Sequence, residues 1–139
     1  SKRLENMISA LGARWGIINE ETYREGLKEI LRDMGWKIIH EVITDTEGYV
    51  YGRAEEIEID IVIHDNKIYL VEITSAVKRT DLDIVRRKAE LYEKLRKVKL
   101  DKVMIISPFI HDKNPERIIA IARSLGIEII YPRPSEAIK

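Results

Sequence analysis

Two acidic residues stand where acids are costly. Asp60 interrupts the run Ile57-Glu58-Ile59-Asp60-Ile61-Val62-Ile63, and Glu72 interrupts Ile68-Tyr69-Leu70-Val71-Glu72-Ile73. A carboxylate inside such an apolar strand needs a partner for its charge. A divalent cation is one such partner. Mg²⁺ or Mn²⁺ takes hard oxygen ligands, typically one or two carboxylates, with water or phosphate completing the shell. The plainer alternatives are two edge-exposed acids, or ion pairs to Arg53 or Lys78.

The metal reading carries a geometric condition. The two acids must share a face. His64-Asp65-Asn66-Lys67 reads as the turn between two strands. A two-residue turn at Asp65-Asn66 would pair position 60 with 71 and send the acids to opposite faces. A three-residue turn or a bulge would pair 60 with 72 and bring them together. A shared metal therefore predicts the latter hairpin, with the carboxylates within about 6 Å of each other.

The elements that must position these acids follow from periodicity. Residues 1–13 read as a helical lead-in, and Glu20 to Met34 as a helix capped by Asn19 and ended by Gly35. Trp36 to Thr44 is a strand, followed by the turn Asp45-Thr46-Glu47-Gly48 and the two strands already described. Thr80 reads as the cap of a helix with the apolar stripe Leu82, Val85, Ala89, Tyr92 and Leu95. Lys102 to Ser107 is a strand, Asn114-Pro115 opens a helix ending near Gly126, and Ile127 to Tyr131 is the last strand before Pro132 and Pro134. The order predicts an α/β fold with a mixed sheet flanked by helices.

Composition narrows the class. The 139 residues suit one domain, with 45% hydrophobic residues for a core and 35% charged residues for a wet surface. The abrupt start suggests the C-terminal part of a longer protein. Absence of cysteine excludes disulfides and thiolate metal sites and fits a reducing, cytoplasmic setting. Three scattered histidines, His40, His64 and His111, argue against a zinc site. No apolar run approaches the roughly 20 residues that span a bilayer, so no membrane partner is expected.

Net charge is zero, but residues 78–102 hold ten basic and five acidic residues. A basic flank beside an acidic pocket suits a nucleic-acid partner, and an ordinary solvated helix face explains the same charges. Lys78, Arg79, Arg86 and Arg87 are the candidate phosphate contacts, with the run Arg86-Arg87-Lys88 expected to face away from the apolar stripe. Trp15 and Trp36 read as packing residues, and His64 as exposed. Ser107 has no adjacent base, and glycine-rich phosphate loops are absent.

The strand pair Glu58-Ile59-Asp60-Ile61-Val62-Ile63 and Val71-Glu72-Ile73-Thr74 resembles the core of the PD-(D/E)XK nuclease superfamily. Gly16-Ile17-Ile18-Asn19-Glu20 is similar to the first motif of archaeal Holliday-junction resolvases in that superfamily. Arg14-Trp15-Gly16, Glu20-Glu21-Thr22-Tyr23-Arg24 and Glu72-Ile73-Thr74-Ser75 look closer to an uncharacterised archaeal branch. The resemblance runs from about Leu11 to Tyr131. It implies a restriction endonuclease-like αβββαβ core with a further C-terminal helix and strand, and Mg²⁺- or Mn²⁺-dependent hydrolysis of DNA phosphodiester bonds. It implies Asp60 and Glu72 as metal ligands, and Glu20, or Glu21, as the acid of a second metal or of a metal-bound water. A homodimer is left open. The family's lysine falls two residues after the glutamate, where this chain has Thr74. Either Lys78 reaches back from the start of the crossover, or Thr74 holds the water itself. The rival is a nuclease fold that has lost cleavage and binds nucleic acid or a protein.

Overall fold

The computed structural model describes residues 2–11 and 19–132. The motif residues Arg14 to Ile18 and Pro134 lie outside them. Nine elements follow in order: α1 (Lys2–Leu11), α2 (Glu20–Asp33), β1 (Lys37–Asp45), β2 (Glu55–His64), β3 (Lys67–Ile73), α3 (Arg79–Arg96), β4 (Lys102–Ile106), α4 (Pro115–Ser124) and β5 (Ile127–Ile130). The strands form one sheet in sequence order. β1 pairs with β2, and β2 with β3, antiparallel, while β4 and β5 continue parallel to β3.

The alternation of β2 and β3 divides the interior in two. Ile57, Ile59 and Ile61 of β2 and Leu70 of β3 face α3 and α4, packing with Leu82, Val85, Ala89, Tyr92 and Ile118. Val62, Val71 and Ile73 face the other way, against Tyr23, Leu27 and Leu31 of α2 and Leu4 and Ile8 of α1. A sheet covered on both faces by helices is the expected solution for strands this apolar.

Local signals set the element ends. Asn19 is extended and accepts a hydrogen bond from the Thr22 N–H at 3.0 Å, capping α2 as its sequence predicts. At α3 the cap differs from expectation. Lys78, not Thr80, holds the N-cap position, and the Asp81 carboxylate accepts the Lys78 N–H at 2.7 Å. The half capping box outcompetes the threonine because an acid at the third helical position reaches back to the cap backbone.

The β2–β3 turn settles the register. Asp65 and Asn66 have φ of 51° and 61°, the left-handed pair of a type I′ turn. His64 pairs with Lys67, and Asp60 pairs with Val71, not with Glu72. The three-residue turn or bulge that a shared face would need is therefore not formed. Asp60 alternates with the α2 side of the sheet, and Glu72 with the α3 side.

The β1–β2 connection is rigid. The buried Asp45 carboxylate accepts the N–H groups of Tyr49 and Val50 at 3.0 and 2.8 Å. Gly48 has φ of 70°, and a Cβ there would sit 2.7 Å from the Arg53 backbone nitrogen. Gly48→Ala should therefore lose more than the usual left-handed penalty of about 1–2 kcal/mol, read by denaturant unfolding. An unchanged midpoint would show that the loop can relax around the methyl group.

Candidate active site

The acids on opposite faces nevertheless line one cleft. The β2–β3 ladder ends at Asp60↔Val71. From there β2 continues along β1 as far as Asp45↔Glu55, while β3 continues along β4 through Ile73↔Ile106. The sheet forks, and a small cavity of about 130 Å³ opens in the fork, lined by Arg24, His40, Glu58, Asp60, Glu72, Ile73 and Lys88. That volume accommodates several waters. Two strands that diverge can each offer a side chain to the gap between them, even when the ladder behind would separate the two.

Each acid already has a cation. Lys28 of α2 is 5% exposed, and its Nζ lies 2.9 Å from Asp60 Oδ1. Lys88 of α3 is 6% exposed, and its Nζ lies 3.3 Å from Glu72 Oε1 and donates to the Glu58 carbonyl at 3.1 Å. Arg24 Nε donates to the Ile73 carbonyl at 3.4 Å and adds positive charge near Glu72. Burial pushes the Glu72 carboxyl up, and Asp60 adds to this, outweighing the opposing pull of Lys88 and Arg24.

His40 of β1 spans the mouth. Its Nδ1 lies 2.9 Å from Asp60 Oδ1, and its Nε2 lies 3.1 Å from Glu58 Oε1. The hydrogen bond to Asp60, opposed by partial burial and assisted by Glu58, raises the imidazole pKa.

The remaining candidates gather elsewhere. Glu20, at the start of α2, accepts from the Thr74 hydroxyl at 2.8 Å and the Ser75 N–H at 3.0 Å. Burial disfavours its charge, but these bonds and the nearby Arg24 and Lys78 hold its carboxyl below the ordinary glutamate value. Glu20, Thr74 and Lys78 therefore form a group of their own at the end of β3. Arg24, one helical turn beyond Glu20, lines the fork from α2, where Lys28 also meets Asp60. Among the described residues no three Asp, Glu or His side chains form a ready-made metal cage.

The basic run on α3 divides three ways. Arg86 is paired with Glu90 at 3.1 Å and lies 3.8 Å from Asp83. Arg87 donates to the Val50 carbonyl at 2.9 Å, fastening the β1–β2 loop. Lys88 turns inward to the fork instead of away from the apolar stripe. Arg79 is exposed at the start of α3. The residues that sequence reasoning missed are Lys88, Lys28, Arg24 and His40. Trp36 packs against Tyr69 and against His64, which is half-buried where exposure was expected.

A family model described as the PD-(D/E)XK nuclease superfamily matches residues 55–128, the span holding the fork and both of its acids. The chain belongs to the PD-(D/E)XK nuclease superfamily. The five-stranded mixed sheet with helices on both faces is the α/β architecture of the restriction endonuclease-like fold. A second model, described as a protein of unknown function (DUF3782), matches residues 1–54. No curated protein and no solved structure matches the chain.

The His40–Asp60 contact is directly measurable. NMR titration should place the His40 pKa above the ordinary 6.5, and Asp60→Asn should lower it. A folded pKa above the unfolded one means that the contact stabilises the fold below the unfolded value. That contribution is then lost as pH rises through the folded pKa. An ordinary His40 titration, indifferent to Asp60→Asn, would remove the contact from the site.

Proposed function

We propose that this nuclease-superfamily chain hydrolyses DNA phosphodiester bonds with Mg²⁺ or Mn²⁺, and that the fork between β2 and β3 is the reaction centre. The observation that carries this reading is the fork itself. Two carboxylates, Asp60 and Glu72, line one cavity, and each has a buried lysine at hydrogen-bond distance.

The donor set fits a hard divalent cation. Both carboxylates offer hard oxygen donors to the same small cavity. Asp60 and Glu72 would hold the ion, with Glu20 serving a second ion or a water at the edge of the site. The bound metal would supply a nucleophilic hydroxide at neutral pH and polarise the phosphate.

The chain's own groups do the rest. Lys88 extends its ammonium to the fork from α3, where it can align the attacking water and stabilise charge on the phosphoryl oxygens. It fills the role that the resemblance assigns to position 74. Thr74 cannot, because its hydroxyl is 2.8 Å from Glu20 and 3.1 Å from the Ala76 carbonyl. Arg24, close to Glu72, adds positive charge beside the incoming phosphate. Lys28 holds the Asp60 carboxylate in place.

A second reading, a module that binds nucleic acid or a protein without cleaving it, draws on one observation. Asp60 and Glu72 are each neutralised by a lysine already, so the fork holds charge balance without a metal. Two experiments separate the readings. Supercoiled, single-stranded and branched DNA should be cut in Mg²⁺ or Mn²⁺ by the native chain and not by Asp60→Ala. Millimolar metal should raise the melting temperature of the native chain and not of that variant, since the ion binds only the folded site. Intact DNA together with metal-insensitive melting would select the binding module.

The lysine assignment has its own test. Lys88→Ala should lower kcat by about 10²-fold or more with binding largely kept, as for a group that acts on the transition state. Lys78→Ala should weaken binding and flatten its salt dependence with little change in kcat, as for a phosphate contact. The opposite pattern would return the role to Lys78.

A further inference from the structure

Beyond β3 and β4 the two segments run on side by side. The Thr74 N–H donates to the Ile106 carbonyl at 3.1 Å, and Val77 forms an isolated parallel bridge with Ile110. The Val77 N–H donates to the Phe109 carbonyl at 2.9 Å, and the His111 N–H donates to the Val77 carbonyl at 2.8 Å. Phe109 is further fixed by Ser107, whose hydroxyl donates to the Phe109 carbonyl at 2.9 Å. The backbone is therefore locked on both sides of a residue that is 54% exposed, the one phenylalanine of the chain.

An isolated exposed apolar residue needs no explanation. Phe109 is not isolated in its chemistry. The His111 ring stands 6.1 Å from it, and the exposed Lys78, Arg79 and Lys113 lie on the same two segments. Arg79 and Lys113 have no ion-pair partner among the described residues. The carboxylates interspersed with them keep their charge and are held to nearby backbone. Asp81 accepts the Lys78 N–H at 2.7 Å, and Asp112 accepts the Asn114 N–H at 2.9 Å. The two segments thus carry an exposed aromatic ring together with the unpaired cations Arg79 and Lys113. Val77, bonded to the Phe109 carbonyl, is three residues past Thr74, at most about 11 Å of chain from the Glu20–Thr74 group.

We propose that Phe109 and His111, rimmed by Lys78, Arg79 and Lys113, form a stacking lip that takes an unpaired nucleobase from a nucleic-acid strand entering the fork. An exposed flat ring on a fixed backbone stacks a base without first losing conformational freedom, and the surrounding ammonium and guanidinium groups meet the phosphates on either side. The lip distinguishes unpaired from duplex strands, because a base inside a duplex has no free face to offer it. This inference rests on the nucleic-acid reading of the fork.

Binding measured in EDTA keeps the lip separate from cleavage. Fluorescence anisotropy with labelled oligothymidylate, oligouridylate and a DNA duplex is compared for the native chain, Phe109→Ala and Phe109→Trp. Phe109→Ala should weaken binding of either single strand by at least about fivefold, the loss of one stacked base, and leave duplex binding nearly unchanged. Phe109→Trp should keep the affinity, with its fluorescence quenched on binding. Equal affinities for native and Phe109→Ala would overturn the lip while leaving metal-dependent cutting at Asp60 and Glu72 intact as a separate result. A Phe109→Ala change in sedimentation instead of in binding would assign the ring to contact between copies of the chain, and also overturn it.

Discussion

The end of the β2–β3 ladder at Asp60↔Val71 governs everything built around it. A sheet that stops pairing in its middle leaves backbone groups without partners, and buried groups of that kind are costly. Here two side chains close the gap. Lys88 donates to the Glu58 carbonyl on β2, and Arg24 donates to the Ile73 carbonyl on β3. The same two cations stand beside Glu72. Closing the fork and charging the cavity are one arrangement, so the site cannot be dismantled without exposing the sheet's own backbone.

The alternating register has a second consequence. Because Asp60 and Glu72 belong to opposite faces, each meets a lysine from the helix on its own side, Lys28 from α2 and Lys88 from α3. Buried ion pairs of this kind contribute little net stability, since desolvation offsets most of the attraction. Apolar residues of similar volume would pack these positions at least as well. Net stability from the ion pairs alone does not account for these lysines, although Lys88 also closes the backbone of the fork. Removing either partner alone leaves an uncompensated buried charge, so these four residues behave as coupled pairs.

Much of this was legible in the chain. Asn19 as a cap, Gly48 in its turn, the order of strands and the two misplaced acids all follow from local rules that tertiary packing did not override. The hairpin was not, because Asp65-Asn66 tolerates either loop length and one residue of slip exchanges the faces. The tight I′ turn won, and the acids met by strand divergence, which alternation alone does not encode. The lysines were hidden in plain view. Val85, Lys88, Ala89 and Tyr92 have the spacing of a single helix face, as do Arg24, Leu27, Lys28 and Leu31. Successive residues on a helix turn by about 100°, so Arg86-Arg87-Lys88 could never present all three charges outward. Reading the run as one basic patch obscured the member that lies on the apolar stripe.

That point also bears on Thr74. A group that stabilises a transition state acts through where its charged atom sits, not through where its Cα is attached. Position 74 lies just beyond the last residue of β3, and its side chain is turned to Glu20 at the start of α2. An ammonium is delivered to Glu72 from the opposite direction, by a helix whose apolar neighbours clamp the lysine stem. A long side chain emerging from a packed helix face has fewer conformers than one at a strand end, so its head group is better fixed. The strand position that the resemblance gives to a lysine holds Thr74, which ties α2 to the sheet, while a buried lysine from α3 stands at Glu72.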